Sequence, residues 1–221
     1  MGFCMSHTIK AVVLGLSLLL VGVCYAQDFQ KGNDAYVKKD YATALREWRP
    51  LAERGDARAL REIRLLADQG NVSAQASLGD MYYNGWGVIT KDNKEGLKWY
   101  RLAAEQGDAR AQASIGWFYW KGIGFLQDYK EALKWFHLSA EQGNSNSFLR
   151  LADMYADGQG VILDNVYAHM WLNIAASSDD ASAVAYAVWN REIVAGKMTT
   201  ADISKAQDLA RECVKKKYKG C

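Results

Sequence analysis

Three kinds of residue in this 221-residue chain could do chemistry: the histidines His7, His137 and His169, the cysteines Cys4, Cys24, Cys213 and Cys221, and the evenly spaced aspartates Asp92, Asp128 and Asp164. Histidine near neutral pH serves as a general base or a metal ligand, and clustered carboxylates serve in acid/base or metal chemistry. Neither use fits the spacing. His137 and His169 stand at non-equivalent points, and His137 aligns with Arg101 and Asn173, a variable polar position that predicts a solvated histidine. The aspartates recur at intervals of 36 residues, which makes them a row of equivalent positions and not a cluster. No Ser-x-x-Lys, Ser-Asp-Asn, Lys-Thr-Gly, Gly-x-Ser-x-Gly or His-Glu-x-x-His occurs anywhere. The glycine pairs Gly85/Gly87, Gly122/Gly124 and Gly158/Gly160 lack the third glycine and the Lys-Ser/Thr of a phosphate cradle. The residues therefore predict no catalytic site, no cofactor and no metal.

The elements that position these residues follow a repeat. Ala74, Leu78, Gly79, Tyr82, Gly85, Gly87, Trp99, Ala103, Ala104 and Gly107 return as Ala111, Ile115, Gly116, Tyr119, Gly122, Gly124, Trp135, Ala140 and Gly143. A third copy holds Ser147, Leu151, Ala152, Tyr155, Gly158, Gly160, Trp171, Ala175 and Ala176. A period in this range marks stacked helix pairs that bury their apolar faces only against neighbours. Asp92, Asp128 and Asp164 then read as N-caps of the second helix, with Glu95 and Glu131 completing a reciprocal box in two of them. Gly79 and Gly116 sit inside the first helix, where glycine costs about 1 kcal/mol against alanine, so close helix packing must recover that loss. The recurring Trp99, Trp135 and Trp171 are expected in the core.

The ends depart from the repeat. Ala11–Val23 is an apolar run followed by Cys24-Tyr25-Ala26, a secretory signal segment with cleavage expected after Ala26 and no stable membrane span afterwards. Val21-Gly22-Val23-Cys24 offers lipidation at Cys24 as the alternative, although valine before the cysteine fits that signal poorly. Export predicts a periplasmic or secreted protein and a disulfide between Cys213 and Cys221. Residues 27–71 are a degenerate N-terminal repeat with capping helices, in which Pro50 is expected to kink a helix and the amphipathic stretch 57–69 has no place in the two-helix alternation. Residues 72–180 form the three repeats and 181–221 two C-terminal capping helices. With 27 basic against 25 acidic residues, the charge balance predicts no nucleic-acid partner.

This combination of motifs resembles the Sel1-like repeat family, relatives of the tetratricopeptide repeats. The resemblance implies an all-α, right-handed α/α superhelical solenoid, and an adaptor function in assembling protein complexes at or beyond a bacterial membrane. It also brings in a β-lactam-directed hydrolase, because some secreted, cysteine-rich members have been linked to penicillin binding; residues 27–212 here contain no cysteine. The aromatics off the consensus, Tyr83, Trp86, Trp117 and Trp120, together with Asp80, are the expected partner groove for a protein or peptide. A glycan-binding module and a plain structural spacer stay open as other readings, as does packing between repeats for these aromatics. Lys215, Lys216, Lys217 and Lys219 form a basic end that favours a helix C-terminus and could meet the cell wall or anionic lipid.

Overall fold

The computed structural model describes residues 28–124 and 126–221; the expected signal segment, with Cys24, lies outside them. The chain is all-α, and no strand occurs among the described residues. The helices are α1 (28–37), α2 (Tyr41–Glu53), α3 (Ala57–Asp68), α4 (Val72–Asn84), α5 (Asn93–Glu105), α6 (Ala109–Lys121), α7 (Tyr129–Ala140), α8 (Ser145–Asp157), α9 (Asn165–Ala175), α10 (Ala181–Ala195) and α11 (Thr200–Lys215). None is long and apolar enough to cross a membrane. Residues up to Gly96 and residues from Leu97 onward form two compact units.

In the first unit α3 packs against both α2 and α4 through Ala59, Ile63 and Leu66. The stretch 57–69 is thus an additional layer. It escapes the two-helix alternation because both of its connections, Arg54-Gly55-Asp56 and Gln69-Gly70-Asn71, are of the short single-glycine type that elsewhere joins one repeat to the next, with no glycine-paired loop on either side. Pro50 lies within α2, and the helix runs on past it to Glu53. Gly96 of α5 rests on α4: a Cβ there would stand 3.2 Å from both the Gly79 carbonyl oxygen and the Tyr83 nitrogen. That contact requires a small residue at Gly96, on the second helix of the pair.

The second unit stacks two hairpins, α6/α7 and α8/α9, and α10 and α11 each pack on α9. Gly116 of α6 receives the ring of Phe136, which a Cβ would approach to 2.8 Å. The aspartates are caps, as expected: Asp128 Oδ1 accepts from the amides of Lys130 and Glu131, and Asp164 Oδ1 from those of Val166 and Tyr167. The reciprocal half of the box differs, since the Glu131 carboxylate turns to Lys134 one turn on. A reciprocal box does form at Thr199 with Asp202, opening α11.

The tryptophan positions need correction. Trp171 is fully buried, but Trp99 and Trp135 are only half-buried, and the residues that follow those two, Tyr100 and Phe136, are the buried ones. The consensus indole therefore sits at the edge of the packed stripe. Trp171 is enclosed because α9 is covered by α8, α10 and α11 together, leaving little of its circumference to water.

Buried polar groups stitch successive layers. Gln75 Nε2 donates to the Ala67 carbonyl and Gln112 Nε2 to that of Ala104, each reaching the last turn of the preceding helix. Ser139 Oγ likewise donates to the Ala109 carbonyl. These bonds satisfy groups that burial would otherwise penalise by about 1–3 kcal/mol each.

The second glycine of each loop pair is unequal in its surroundings. Gly87 (φ 65°) would place a Cβ 2.1 Å from the Ala52 carbonyl oxygen, and Gly160 (φ 76°) one 2.8 Å from the Tyr129 carbonyl, whereas Gly124 (φ 85°) has nothing within 4 Å. Replacement of Gly124 by alanine is expected to cost only the left-handed backbone strain, about 1–2 kcal/mol. Gly160→Ala adds a backbone collision and should cost roughly 1–3 kcal/mol more, a difference that parallel urea titrations would resolve. The expected Cys213–Cys221 disulfide is formed, with Cα atoms 5.7 Å apart. Its removal in the Cys213→Ser/Cys221→Ser double variant is expected to lower unfolding free energy by about 2–3 kcal/mol, matched by the effect of reductant on the unaltered protein.

Candidate functional site

The five residues singled out by sequence fall into two clusters, one in each unit. In the first, Asp80 Oδ2 accepts from Arg49 Nη2 at 2.7 Å while Arg49 Nε holds Glu53 at 2.8 Å. The same guanidinium lies 6.0 Å from the Trp86 ring centroid, and Lys91 Nζ lies 5.1 Å from that of Tyr83. Burial disfavours the Arg49 charge, but Glu53 and Asp80 outweigh it and raise its pKa. Asp80 is therefore committed to an internal ion pair between α2 and α4.

In the second unit Trp117 and Trp120, one turn apart on α6, stand with ring centroids 5.2 Å apart and planes tilted by 56°. Both are half-buried against the core while keeping surface exposed. Lys121 Nζ sits 5.0 Å and 4.1 Å from their centroids, and Arg150 Cζ of α8 is 5.3 Å from each. Trp120 Nε1 donates to Gln159 Oε1 at 2.6 Å, tying α6 to the loop of the next repeat. Cations over indole faces contribute about 0.5–2 kcal/mol each.

The cluster continues through residues that the sequence reading missed. Arg150 Nη1 donates to Asp153 Oδ2 at 2.8 Å, and the Tyr186 hydroxyl of α10 donates to Asp153 Oδ1 at 3.0 Å. Burial pushes the Asp153 carboxyl above the usual range against the opposing pull of Arg150 and the Tyr186 hydrogen bond. Burial likewise raises the Tyr186 phenol, with Asp153 adding to the effect. Beyond it on α10, Trp189 is 67% exposed. The signal was present in the alignment of the copies: Asp80, Trp117 and Asp153 each follow the small residue of the first helix, so the third repeat carries the same variable position as the other two.

Neither histidine has the setting of a catalytic base. His137, expected to be solvated, is instead packed edge-on against Trp171 at 5.7 Å, and burial lowers its pKa with Glu141 partly opposing. His169 is buried; its Nδ1 lies 3.0 Å from Asn173 Nδ2, and Asn173 Oδ1 accepts from Arg191 at 3.3 Å. Burial, then Arg191, lowers the His169 pKa. Among the described residues no group of three or more His, Cys, Asp or Glu side chains could hold a metal ion.

The arrangement of paired helices and glycine-seated loops finds its counterpart among known proteins. The Sel1 repeat matches at residues 72–108, 109–144 and 149–180. A Sel1 repeat protein of Oxalobacter formigenes, known from its crystal structure, is similar at 34% identity and a TM-score of 0.52, over 59% of this chain and 98% of that one. A protective antigen present in uropathogenic Escherichia coli strains, with an SLR fold, aligns at 22% identity and a TM-score of 0.49, over 88% of this chain and 55% of its own length. A search of curated proteins finds no match. With three copies of the repeat and a relative of this identity spanned almost end to end, the chain belongs to the Sel1 repeat family.

Proposed function

We propose that the protein is a noncatalytic protein-interaction module of the bacterial cell envelope, binding its partner on the first-helix face of the second unit. The observation that carries this reading is the Trp117–Trp120 pair. The packing of α6 is already supplied by Ile115, Phe118 and the Gly116–Phe136 contact, yet two further indoles are held half-exposed beside it. Tryptophan offers large contact area at low entropic cost, and a centre of aromatic rings with a charged rim is the usual anatomy of a binding hot spot. Arg150, Asp153, Tyr186 and Trp189 extend that face along α8 and α10.

A protein partner fits this face better than a glycan. Sugar rings stack on bare indole faces, and here Lys121 and Arg150 lie over both rings and would have to be displaced. The envelope setting is supported by the signal segment and by the Cys213–Cys221 bridge, a bond that persists in oxidising compartments.

Immobilised protein exposed to envelope extract is expected to retain a protein partner whose affinity falls by about 2 kcal/mol or more, some 30-fold, in Trp120→Ala. Lys121→Ala, at an exposed position, should weaken capture while lowering Tm by no more than a few degrees, the loss of its contacts with the two indoles. Equal capture by all three proteins, or retention of purified cell wall in place of protein, would reject the reading.

A further inference from the structure

The lysine-rich end is a built loop and not a frayed tail. α11 runs to Lys215, the Cys213–Cys221 bridge then folds the chain back, Tyr218 packs on Phe148 with centroids 5.0 Å apart, and the Gly220 amide donates to Glu141 Oε1 at 3.4 Å. Lys217 and Tyr218 take φ of 52° and 64°, a region that side-chain-bearing residues rarely enter. Lys215, Lys216, Lys217 and Lys219 are all exposed, and none pairs with a carboxylate among the described residues. Residues 208–221 hold five cations against two carboxylates, Asp208 and Glu212, of which Asp208 is engaged by Arg211.

Beside this loop, an open groove of about 560 Å³ lies between α9 and α11. Ile174, Ala210 and Val214 supply its apolar lining, Arg211 and Lys215 its charge, and Asn173 a polar group already oriented by Arg191. Val214 is 44% exposed, an aliphatic side chain left facing the cleft beside the cations.

The geometry points to this cleft, with the lysine loop at its end, as a binding site for an acidic peptide segment of a partner protein. The lining takes an aliphatic side chain, and carboxylates beside it meet Arg211 and Lys215, the two cations of the lining. Charge complementarity selects the occupant: the excess of cations is confined to this end of a chain that carries only two more basic than acidic residues overall. The concavity selects a chain over a bilayer, since a membrane surface is met by apolar side chains that project past the lysines, whereas Ile174 and Ala210 are buried at the base of a cleft between two helices. This site lies on the second-helix layer and does not depend on the Trp117–Trp120 face.

The test uses a fluorescein-labelled peptide of alternating glutamate and leucine, its lysine-for-glutamate counterpart, and phosphatidylglycerol/phosphatidylcholine vesicles. The acidic peptide is expected to raise its anisotropy on binding, weaken with added salt, and lose about tenfold or more in affinity in Arg211→Glu/Lys215→Glu. Val214→Ser should also weaken it, and Trp120→Ala should not. Both charge positions are exposed, so circular dichroism of the double variant is expected to match that of the unaltered protein. Equal binding of the acidic and basic peptides, equal affinity in the charge variant, or binding to anionic vesicles without binding to the peptide would each overturn the assignment.

Discussion

Close approach between backbones governs this structure. Gly96 lies on the Gly79 turn of α4, Phe136 lies on Gly116, and the loops at Gly87 and Gly160 touch the backbone at Ala52 and Tyr129. At each place a single added carbon would meet atoms at or inside van der Waals contact, and backbone gives way less readily than the far end of a flexible side chain. Packing at this distance brings Gln112 within reach of the Ala104 carbonyl and Ser139 within reach of Ala109, so polar groups between layers are satisfied by the same geometry.

Most of the architecture was legible because those contacts demand particular residue types at a fixed period. The small residues, loop glycines and aspartate caps could be assigned from spacing alone. The indoles could not. Trp99, Trp135 and Trp171 occupy one consensus position, yet their burial differs because burial depends on how many neighbours surround each second helix, and only α9 has α10 and α11 against it. His137 was misjudged for a related reason: a variable polar position in other copies is covered here by Trp171. The α3 layer carries an ordinary amphipathic pattern without the loop signature that would give it a place in the alternation.

The aromatic face was readable in its rings and hidden in its charges. Trp117 and Trp120 stood out as departures from the consensus, but Arg150 and Tyr186 belong to other helices and are joined to them only in space. Asp153 shows how such a face is held: a buried carboxyl is costly unless it is shared, and here a guanidinium and a phenol from two helices share it. The division of labour is clear within the second unit. Consensus positions build the layers, and the position after each small residue is released to carry chemistry that differs from copy to copy.

The loop seats give the array a polarity. Each of the loops at Gly87 and Gly160 leans on a segment that precedes it in the chain, so the upstream hairpin offers the platform and the downstream hairpin brings the glycine. Duplication that appends a hairpin toward the C-terminus finds its platform ready-made, while one inserted ahead of the first repeat must supply its own. The loop at Gly87 finds that platform on α2, so the irregular helices before Val72 serve the first repeat as α7 serves the third.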